Sequence, residues 1–259
     1  MNGTLDANYQ FPVELQPIFL AGGKVIEKRK AVVRMDTMKP LGIVSDEYGL
    51  VKHGTVVDSL REAGKKYNVQ EKISVTNYGA NLFYQMTFPK VEMEVKKNDI
   101  IRMQMIARNS YNGMNSLRIV FGALRLVCLN GMVIAQKFMQ FSYRHIGDVG
   151  GMTNGMLIDQ YQEAYEGYIK MFNERLPIIQ QMSRTKIKGN GLFERKQVHL
   201  PTYLLDEANA SYQKAGDSSV WGYYNSLTYA ISHKMKKESP ASSVNYGMIA
   251  WKIAEARMN

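Results

Sequence analysis

Cysteine is nearly absent from this chain of 259 residues, which contains one, Cys128. A single cysteine excludes an intramolecular disulfide framework and any metal site built from several cysteines. Cys128 lies in the apolar run 124–129, which is typical of a small buried residue. A catalytic thiolate would need a nearby base and some exposure. We therefore predict that Cys128 is not a nucleophile.

Long apolar runs are also absent. No stretch approaches the roughly 18 consecutive apolar residues that a membrane-spanning helix requires. Residues 1–10 show no basic segment followed by an apolar one, so we expect no signal peptide. The sequence predicts a protein of the cytoplasm, which is the host cytoplasm if a phage encodes it.

The motifs of common enzyme classes are missing. The sequence contains no Gly-x-x-x-x-Gly-Lys-Ser/Thr, no Gly-x-Ser-x-Gly and no His-Glu-x-x-His. None of its four histidines has a second histidine or a cysteine three or four residues away. They are His53, His145, His199 and His233. The glycine-rich stretch 147–155 has no Lys-Ser/Thr after it, so a plain connection is favoured over a phosphate-binding loop. We predict a protein that is not an enzyme and has no cofactor and no metal.

Positive charge is what the sequence has in excess. It contains 33 Lys and Arg against 23 Asp and Glu, a formal net charge of +10. A basic chain of this size typically meets a polyanion, most often nucleic acid or an anionic membrane surface. The alternative is a charge that serves only solubility.

The order of the predicted elements indicates an α+β fold. Segments rich in β-branched and aromatic residues come first, and helical spacing dominates after about residue 130. We predict antiparallel strands at 11–20, 25–34, 41–45, 72–77, 81–88, 99–108 and 116–127. We predict helices at 54–66, 155–182, 203–214, 219–236 and 243–258, with an interruption or kink at Pro177. A β-rich region, 1–150, and a helical region packed on it, 151–259, would form one continuous domain.

Arginines recur on two neighbouring predicted strands. Alternation in 101–108 places Ile101 and Met103 on one face and Arg102 and Arg108 on the other. Arg118 and Arg125 lie on the next strand, and like charges on paired strands repel unless something acidic or anionic answers them. Cations interleaved with aromatics are the usual means of binding single strands. The alternative is that carboxylates of the C-terminal helices neutralise these arginines.

Several further residues join this predicted nucleic-acid interface. Near the arginines in sequence are Tyr111, Lys137 and Arg144. A second basic stretch, which is either a solvated loop or a phosphate contact, contributes Lys186, Lys188, Arg195 and Lys196. The aromatic residues Trp221 and Tyr224 share a helix face and indicate helix core or an oligomer interface.

Three segments resemble the family called domain of unknown function 932, in the order that family has them. These are 30–51, whose centre reads LGIVSDEYGLV, 109–131, which contains LRLVCLNG, and 221–233, which begins WGYYNSLT. Where the family usually has a His-Asp-Gly-Ser-like turn, this chain has Tyr111-Asn112-Gly113-Met114. The resemblance implies a protein of bacteriophages, plasmids or other mobile elements and assigns no catalytic residue. A distant similarity to phage single-strand annealing proteins implies a sheet backed by helices and assembly on single-stranded DNA.

Two functional hypotheses follow. The first is a phage or mobile-element protein that binds single-stranded DNA or RNA as a homo-oligomer, in annealing, recombination or replication. The second is a module for protein–protein contact or a self-assembling structural protein, for which the 17 methionines supply adaptable apolar surface.

Overall fold

The computed structural model of the chain describes residues 9–125, 130–132, 140–147, 154–187, 200–234 and 240–258. This part of the chain forms strands first and long helices afterwards. The strands are β1 (Val13–Phe19), β2 (Val25–Arg34), β3 (Lys39–Ser45), β4 (Gln70–Thr76), β5 (Asn81–Lys96), β6 (Asp99–Ser110), β7 (Leu117–Arg125), β8 (Asn130–Met132) and β9 (Gln140–Tyr143). The helices are α1 (His53–Gly64), α2 (Asn154–Arg184), α3 (Thr202–Ala215), α4 (Val220–Lys234) and α5 (Pro240–Ala256). The predicted α+β class is confirmed.

The strands form two sheets. One has three strands in the order β1–β2–β3, both pairs antiparallel. The other has six, in the order β4–β5–β6–β7–β8, with β9 paired to β7. The pairs β4–β5, β7–β8 and β7–β9 of this second sheet are antiparallel as well.

The chain divides into two compact units that are interleaved in sequence. Unit 1 comprises Met1–Thr87, Met105–Val120 and Met139–Glu166, and unit 2 comprises Phe88–Gln104, Phe121–Phe138 and Gly167–Asn259. The units therefore do not correspond to the predicted regions 1–150 and 151–259, and one continuous domain stays a prediction.

Unit 1 has an apolar cluster between the three-stranded sheet and the turns that follow β4 and β6. Phe11, Val32 and Val44 belong to it, together with Tyr111 and Ala80 from the two turns. The backbone N–H of Tyr111 donates to the Ala80 carbonyl at 2.7 Å, which ties the two turns together. This cluster fixes where the turns lie.

Helices cover one face of the second sheet in unit 1. Tyr165 of α2 donates from its hydroxyl to the Met86 sulfur of β5 at 3.3 Å and to the Leu60 carbonyl of α1 at 3.4 Å. The side chains of Leu82, Tyr84 and Met86 alternate along β5 and are buried, while those between them are partly exposed. Within the described residues, burial is therefore greater on this face of the sheet than on the opposite one, whose side chains are partly exposed.

Unit 2 has an aromatic core on α4 and α5. The rings of Trp221 and Tyr224 lie 5.6 Å apart, and Trp251 of α5 stands edge-on to Tyr224 at 5.5 Å. The Trp221 indole N–H donates to the buried carboxylate of Asp99 at 2.8 Å. The prediction that Trp221 and Tyr224 form helix core is confirmed.

Two prolines do not end the helix and the strand that contain them. Helix α2 continues through Pro177 as one element of 31 residues, so an interruption is wrong and a kink stays a prediction. Strand β5 continues past Pro89 to Lys96, eight residues beyond its predicted end. The pairing of β4 with β5 ends at Thr87, and a proline is tolerated where a strand has lost a neighbour.

None of the helices in the described part of the chain is both long enough and apolar enough to cross a membrane.

Candidate nucleic-acid interface

Alternation along β6 and β7 places two arginines on the partly exposed face of the sheet in unit 1. Met105 and Ala107 of β6 are buried, and so are Leu117 and Ile119 of β7. The residues between them point the other way. Arg108 and Arg118 are among these residues, and both are partly exposed.

Strand pairing identifies the neighbours of these arginines. Arg118 lies opposite Ser142 of β9. Toward the opposite edge of the sheet, Phe83 of β5 pairs with Ser74 of β4. The next pair on the same face joins Lys72 to Gln85. Residues opposite each other in an antiparallel pair share a face. We call the surface formed by Lys72, Phe83, Arg108, Arg118 and Ser142 the arginine face.

Arg108 lies at the centre of the arginine face in an apolar and cationic setting. Its guanidinium carbon is 5.3 Å from the ring centroid of Phe83, a cation–π distance. Burial lowers the pKa of Arg108 to about 10, and the positive charge of Arg118 lowers it further in the same direction. Within the described residues, Arg108 forms no ion pair with a carboxylate.

Four other partly buried arginines have a carboxylate partner. Their closest nitrogen–oxygen distances are 2.7 Å for Arg34–Asp36 and 2.9 Å for Arg61–Glu71. They are 2.7 Å for Arg102–Glu92 and 3.1 Å for Arg175–Glu255. Where folding buries a guanidinium in these cases, an acidic side chain compensates it. At Arg108 the described residues supply the like charge of Arg118 and no carboxylate, so an external anion would supply what this part of the chain does not.

Two predicted site residues do not fit the interface. Arg102 belongs to unit 2, and its charge is answered by Glu92 of β5, not by a carboxylate of the C-terminal helices as the alternative had predicted. Tyr111 is 1% exposed and stacks on His53 with ring centroids 3.8 Å apart. Its ring is therefore not presented to a base, because the apolar cluster of unit 1 holds it inside.

The remaining predicted residues fall in three groups. Arg144 is exposed and directly follows β9 in unit 1, next to the arginine face in sequence order. Lys186 is exposed in unit 2, where the next residue, Ile187, donates its N–H to the Ser218 carbonyl at 2.9 Å. Outside the described residues lie Lys137, Lys188, Arg195, Lys196 and the side chain of Arg125.

Sequence reasoning missed Lys72 and Phe83. Both lie in segments that were predicted as strands, 72–77 and 81–88. Alternation in 81–88 separates Leu82, Tyr84 and Met86 from Phe83, so the pattern that placed the arginines also contained this signal. What the pattern lacked was the pairing of β4 with β5, which brings Lys72 onto the same face.

A buried polar network lies beside the arginine face in unit 1. His53 donates from Nε2 to the Gly79 carbonyl at 3.0 Å, and its Nδ1 accepts from the Asn109 amide at 2.9 Å. Burial lowers the pKa of His53 to about 3, so the ring is neutral at physiological pH. With both nitrogens occupied, His53 holds the turns in place and is neither a free base nor a metal ligand.

The sequence of the whole chain agrees with the resemblance of its segments. A family model for the Domain of unknown function (DUF932) matches residues 40–247. The chain belongs to the DUF932 family. In this DUF932 protein the matched range contains the whole arginine face and all five helices except the end of α5. Comparison with the curated proteins gives no match, and comparison with the solved structures gives none either.

Proposed function

We propose that this DUF932 protein binds single-stranded nucleic acid, DNA or RNA, through the arginine face. It would act as an accessory protein in annealing, recombination or replication of a phage or mobile element. In this proposal it works in the cytoplasm as a homo-oligomer and carries out no catalysis of its own.

The observation that carries the proposal is the setting of Arg108. Its guanidinium is partly buried, lies beside Arg118 and has no carboxylate partner within the described residues. A phosphate placed between the two arginines would remove their repulsion and accept charge-assisted hydrogen bonds from both. The free energy that burial costs Arg108 would then be recovered on binding.

The surroundings of Arg108 favour a single strand over a duplex. The arginine face lies on strands, and it adds the aromatic ring of Phe83 to the cations Lys72, Arg108 and Arg118. Between these residues lie small polar side chains, among them Ser74 and Ser142. A sheet with cations and aromatics is the pattern of sequence-tolerant single-strand binding, whereas reading a duplex commonly uses a helix in the major groove.

The experiment is a fluorescence-anisotropy titration with a labelled single-stranded oligonucleotide at low salt. The parent is expected to bind with micromolar or tighter affinity. The double variant Arg108→Met, Arg118→Met should weaken binding by about 10-fold or more, since contacts with charged partners contribute roughly 1.5–3 kcal/mol each. The proposal is wrong if the parent does not bind, or if the double variant binds as the parent does.

The matched control is Arg102→Met. Arg102 has the same side chain on the same strand, but Glu92 already pairs with it at 2.7 Å and it lies in unit 2. We expect this variant to bind within about threefold of the parent. A loss equal to that of the double variant would point to net charge, and not to the arginine face, as the cause.

Self-assembly is the second candidate function, and the end of the β1–β2 hairpin favours it. Phe19 lies opposite Val25 where the two strands meet, and Leu20 follows. All three side chains are exposed, Phe19 by 58%. Apolar side chains grouped on an exposed hairpin are typical of a contact surface. Among the described residues, β1 lies at an edge of its sheet, and a second copy of the chain would pair with that edge.

Light scattering after size exclusion tests self-assembly directly. The double variant Phe19→Ser, Leu20→Ser should shift the parent's oligomer toward monomer, with and without oligonucleotide. A parent that is already monomeric at high concentration would contradict this candidate. An oligomer that the double variant leaves unchanged would place its contact elsewhere in the chain.

A further inference from the structure

An exposed tyrosine lies on the turn between β4 and β5. Tyr78 is 74% exposed, and its backbone is left-handed, with φ 59° and ψ 16°. The preceding residue, Asn77, is left-handed too, with φ 51°. A bulky side chain in this region costs roughly 1–2 kcal/mol, and exposure means that little apolar surface is buried in return.

The turn that contains Tyr78 is fixed by contacts on its buried side. The Gly79 carbonyl accepts the 3.0 Å hydrogen bond from His53, and the Ala80 N–H donates to the Asn77 carbonyl at 3.0 Å. A Cβ atom on Gly79 would lie 2.5 Å from the Phe11 ring, so the backbone is packed against that ring. The left-handed geometry is therefore imposed by the buried side of the turn, and Tyr78 faces outward as a result.

Two cations contact Tyr78, one at its ring and one at its backbone carbonyl. The Lys39 ammonium lies 3.0 Å from the centroid of the Tyr78 ring. Arg34 donates to the Tyr78 carbonyl at 3.4 Å and stacks on Phe11 at 4.0 Å. A cation–π contact at an exposed site contributes only about 0.5–1 kcal/mol, which does not offset the backbone cost. The stability of the fold therefore gives no account of why a tyrosine is at this position.

The turn lies at one end of the arginine face. Thr76 and Asn81 form the last pair before the turn, and Phe83 follows two residues later on the same side of β5. The five steps along the chain from Tyr78 to Phe83 span at most roughly 18 Å. A strand of a few nucleotides that contacts Arg108 would therefore also reach Tyr78.

We propose that Tyr78 is a stacking platform for a base of single-stranded nucleic acid and that Lys39 contacts the adjoining phosphate. The inference rests on the proposed function and adds to it a position outside the arginine face. Bases stack on aromatic side chains without regard to sequence, and a lysine beside the ring supplies the phosphate contact that such sites combine with stacking. Strain held at an exposed side chain is typical of a binding position.

The first test separates bases from phosphates. The parent and Tyr78→Asn are titrated with an oligothymidylate of about 12 nucleotides and with an abasic oligomer of the same length. Asparagine tolerates left-handed backbone, so we expect the variant to be as stable as the parent in a thermal melt. Its affinity for oligothymidylate should fall about 5- to 150-fold, the range that corresponds to one stacked base. Its affinity for the abasic oligomer should not change.

Two further variants serve as controls. Tyr78→Phe retains the ring and should bind oligothymidylate within about twofold of the parent. Lys39→Gln removes the cation and should weaken binding of both oligomers by the same factor, because both have phosphates. Thymine and uracil both supply a pyrimidine ring for stacking. Repeating the titrations with oligouridylate therefore shows whether the protein prefers DNA or RNA.

A second test introduces a reporter at the position itself. Trp221 and Trp251 are buried, so the Tyr78→Trp variant would have one exposed tryptophan among the described residues. Stacking by oligothymidylate should quench its fluorescence, and the abasic oligomer should not.

The outcomes distinguish this inference from the proposed function. If the parent binds oligothymidylate and Tyr78→Asn binds it equally well, the stacking platform is refuted and the arginine face stands. If Tyr78→Asn loses affinity for both oligomers equally, the tyrosine does not act through a base. A parent that binds neither oligomer refutes both proposals.

Discussion

His53 and Arg108 are both basic groups that folding removes from water, but only Arg108 keeps its charge at neutral pH. Burial lowers the pKa of His53 to about 3, and the ring gives up its charge and keeps two hydrogen bonds. Burial lowers the pKa of Arg108 to about 10, which still leaves the guanidinium charged at neutral pH. One residue is therefore satisfied within the chain, and the other retains a charge that the described residues do not answer.

The neutral state of His53 predicts a loss of stability in acid. Unfolding restores the ordinary histidine pKa of 6.5, so below that pH the unfolded chain binds a proton that the folded chain excludes down to about 3. The stabilising effect is therefore fully present above pH 6.5 and is lost as the pH falls toward 3. We expect the free energy of unfolding, measured by urea titration, to fall by about 1.4 kcal/mol per pH unit from this group.

The His53→Gln variant isolates this effect. It should have a lower free energy of unfolding at neutral pH, because the fit of the ring against Tyr111 is lost. Between roughly pH 6 and 4, however, its slope against pH should be shallower than the parent's. His145, whose pKa burial also lowers, would account for part of the remaining slope. An equal slope in His53→Gln would contradict the assignment.

At the scale of single elements, local pattern predicted most of the secondary structure. Strand β2 has the predicted bounds, and α1, α3 and β6 differ from their predictions by a few residues at most. The largest miss was β5, which was predicted to end before Pro89. That proline was tolerated because β4 no longer pairs with β5 beyond Thr87, and strand pairing is a tertiary fact that local pattern does not contain.

Because the end of β5 was not predicted, Arg102 was wrongly included in the predicted interface. Glu92 lies on the part of β5 that was not predicted, and it neutralises Arg102. Alternation correctly separated Arg102, Arg108 and Arg118 from the buried apolar residues of β6 and β7. It could not show which of them would meet a carboxylate, because that depends on the neighbouring strand. For Tyr111 the reason is similar, since its burial depends on contacts with His53 and Phe11 from distant parts of the chain.

Strand β3 packs so closely that one added carbon should be felt. A Cβ on Gly42 would lie 2.4 Å from the Cα of Asn112, a backbone atom in the turn after β6. We expect Gly42→Ala to lower the free energy of unfolding by about 1–3 kcal/mol, the usual cost of overpacking, in a urea titration. Gly22→Ala is the control, because a Cβ there meets nothing within 4 Å. Its effect should stay below about 1 kcal/mol. Equal stability of the two variants would mean that the turn moves aside freely.

At the scale of the whole molecule, the net charge of +10 bears on association and not on fold. A uniform excess of charge attracts any polyanion, and salt weakens such attraction. A binding site differs from a general excess of positive charge because removing its few cations changes the salt dependence of the affinity by a countable amount. In the arginine face, Arg108 and Arg118 are the two cations that we expect to have this effect.

The salt dependence of oligonucleotide binding should therefore change in a countable way. For single strands the logarithm of the affinity falls with the logarithm of salt by roughly 0.7 for each phosphate neutralised. The double variant Arg108→Met, Arg118→Met should have a slope that is shallower by about 1.4 than the parent's, measured by anisotropy across a salt series. Arg102→Met should retain the parent's slope. A slope that all three proteins share would assign binding to the overall charge.

The interleaving of the two units has a consequence for how the chain is made. The chain passes from one unit to the other five times between Thr87 and Gly167. A ribosome that releases the protein from its N-terminus cannot deliver unit 1 before it has also delivered two of the three segments of unit 2. All of unit 1 has been synthesised by Glu166, but the two segments of unit 2 made by then have to wait for the third, Gly167–Asn259, before unit 2 is complete. No single cleavage of the chain yields an intact unit, so the roles of the two units have to be separated by point substitution.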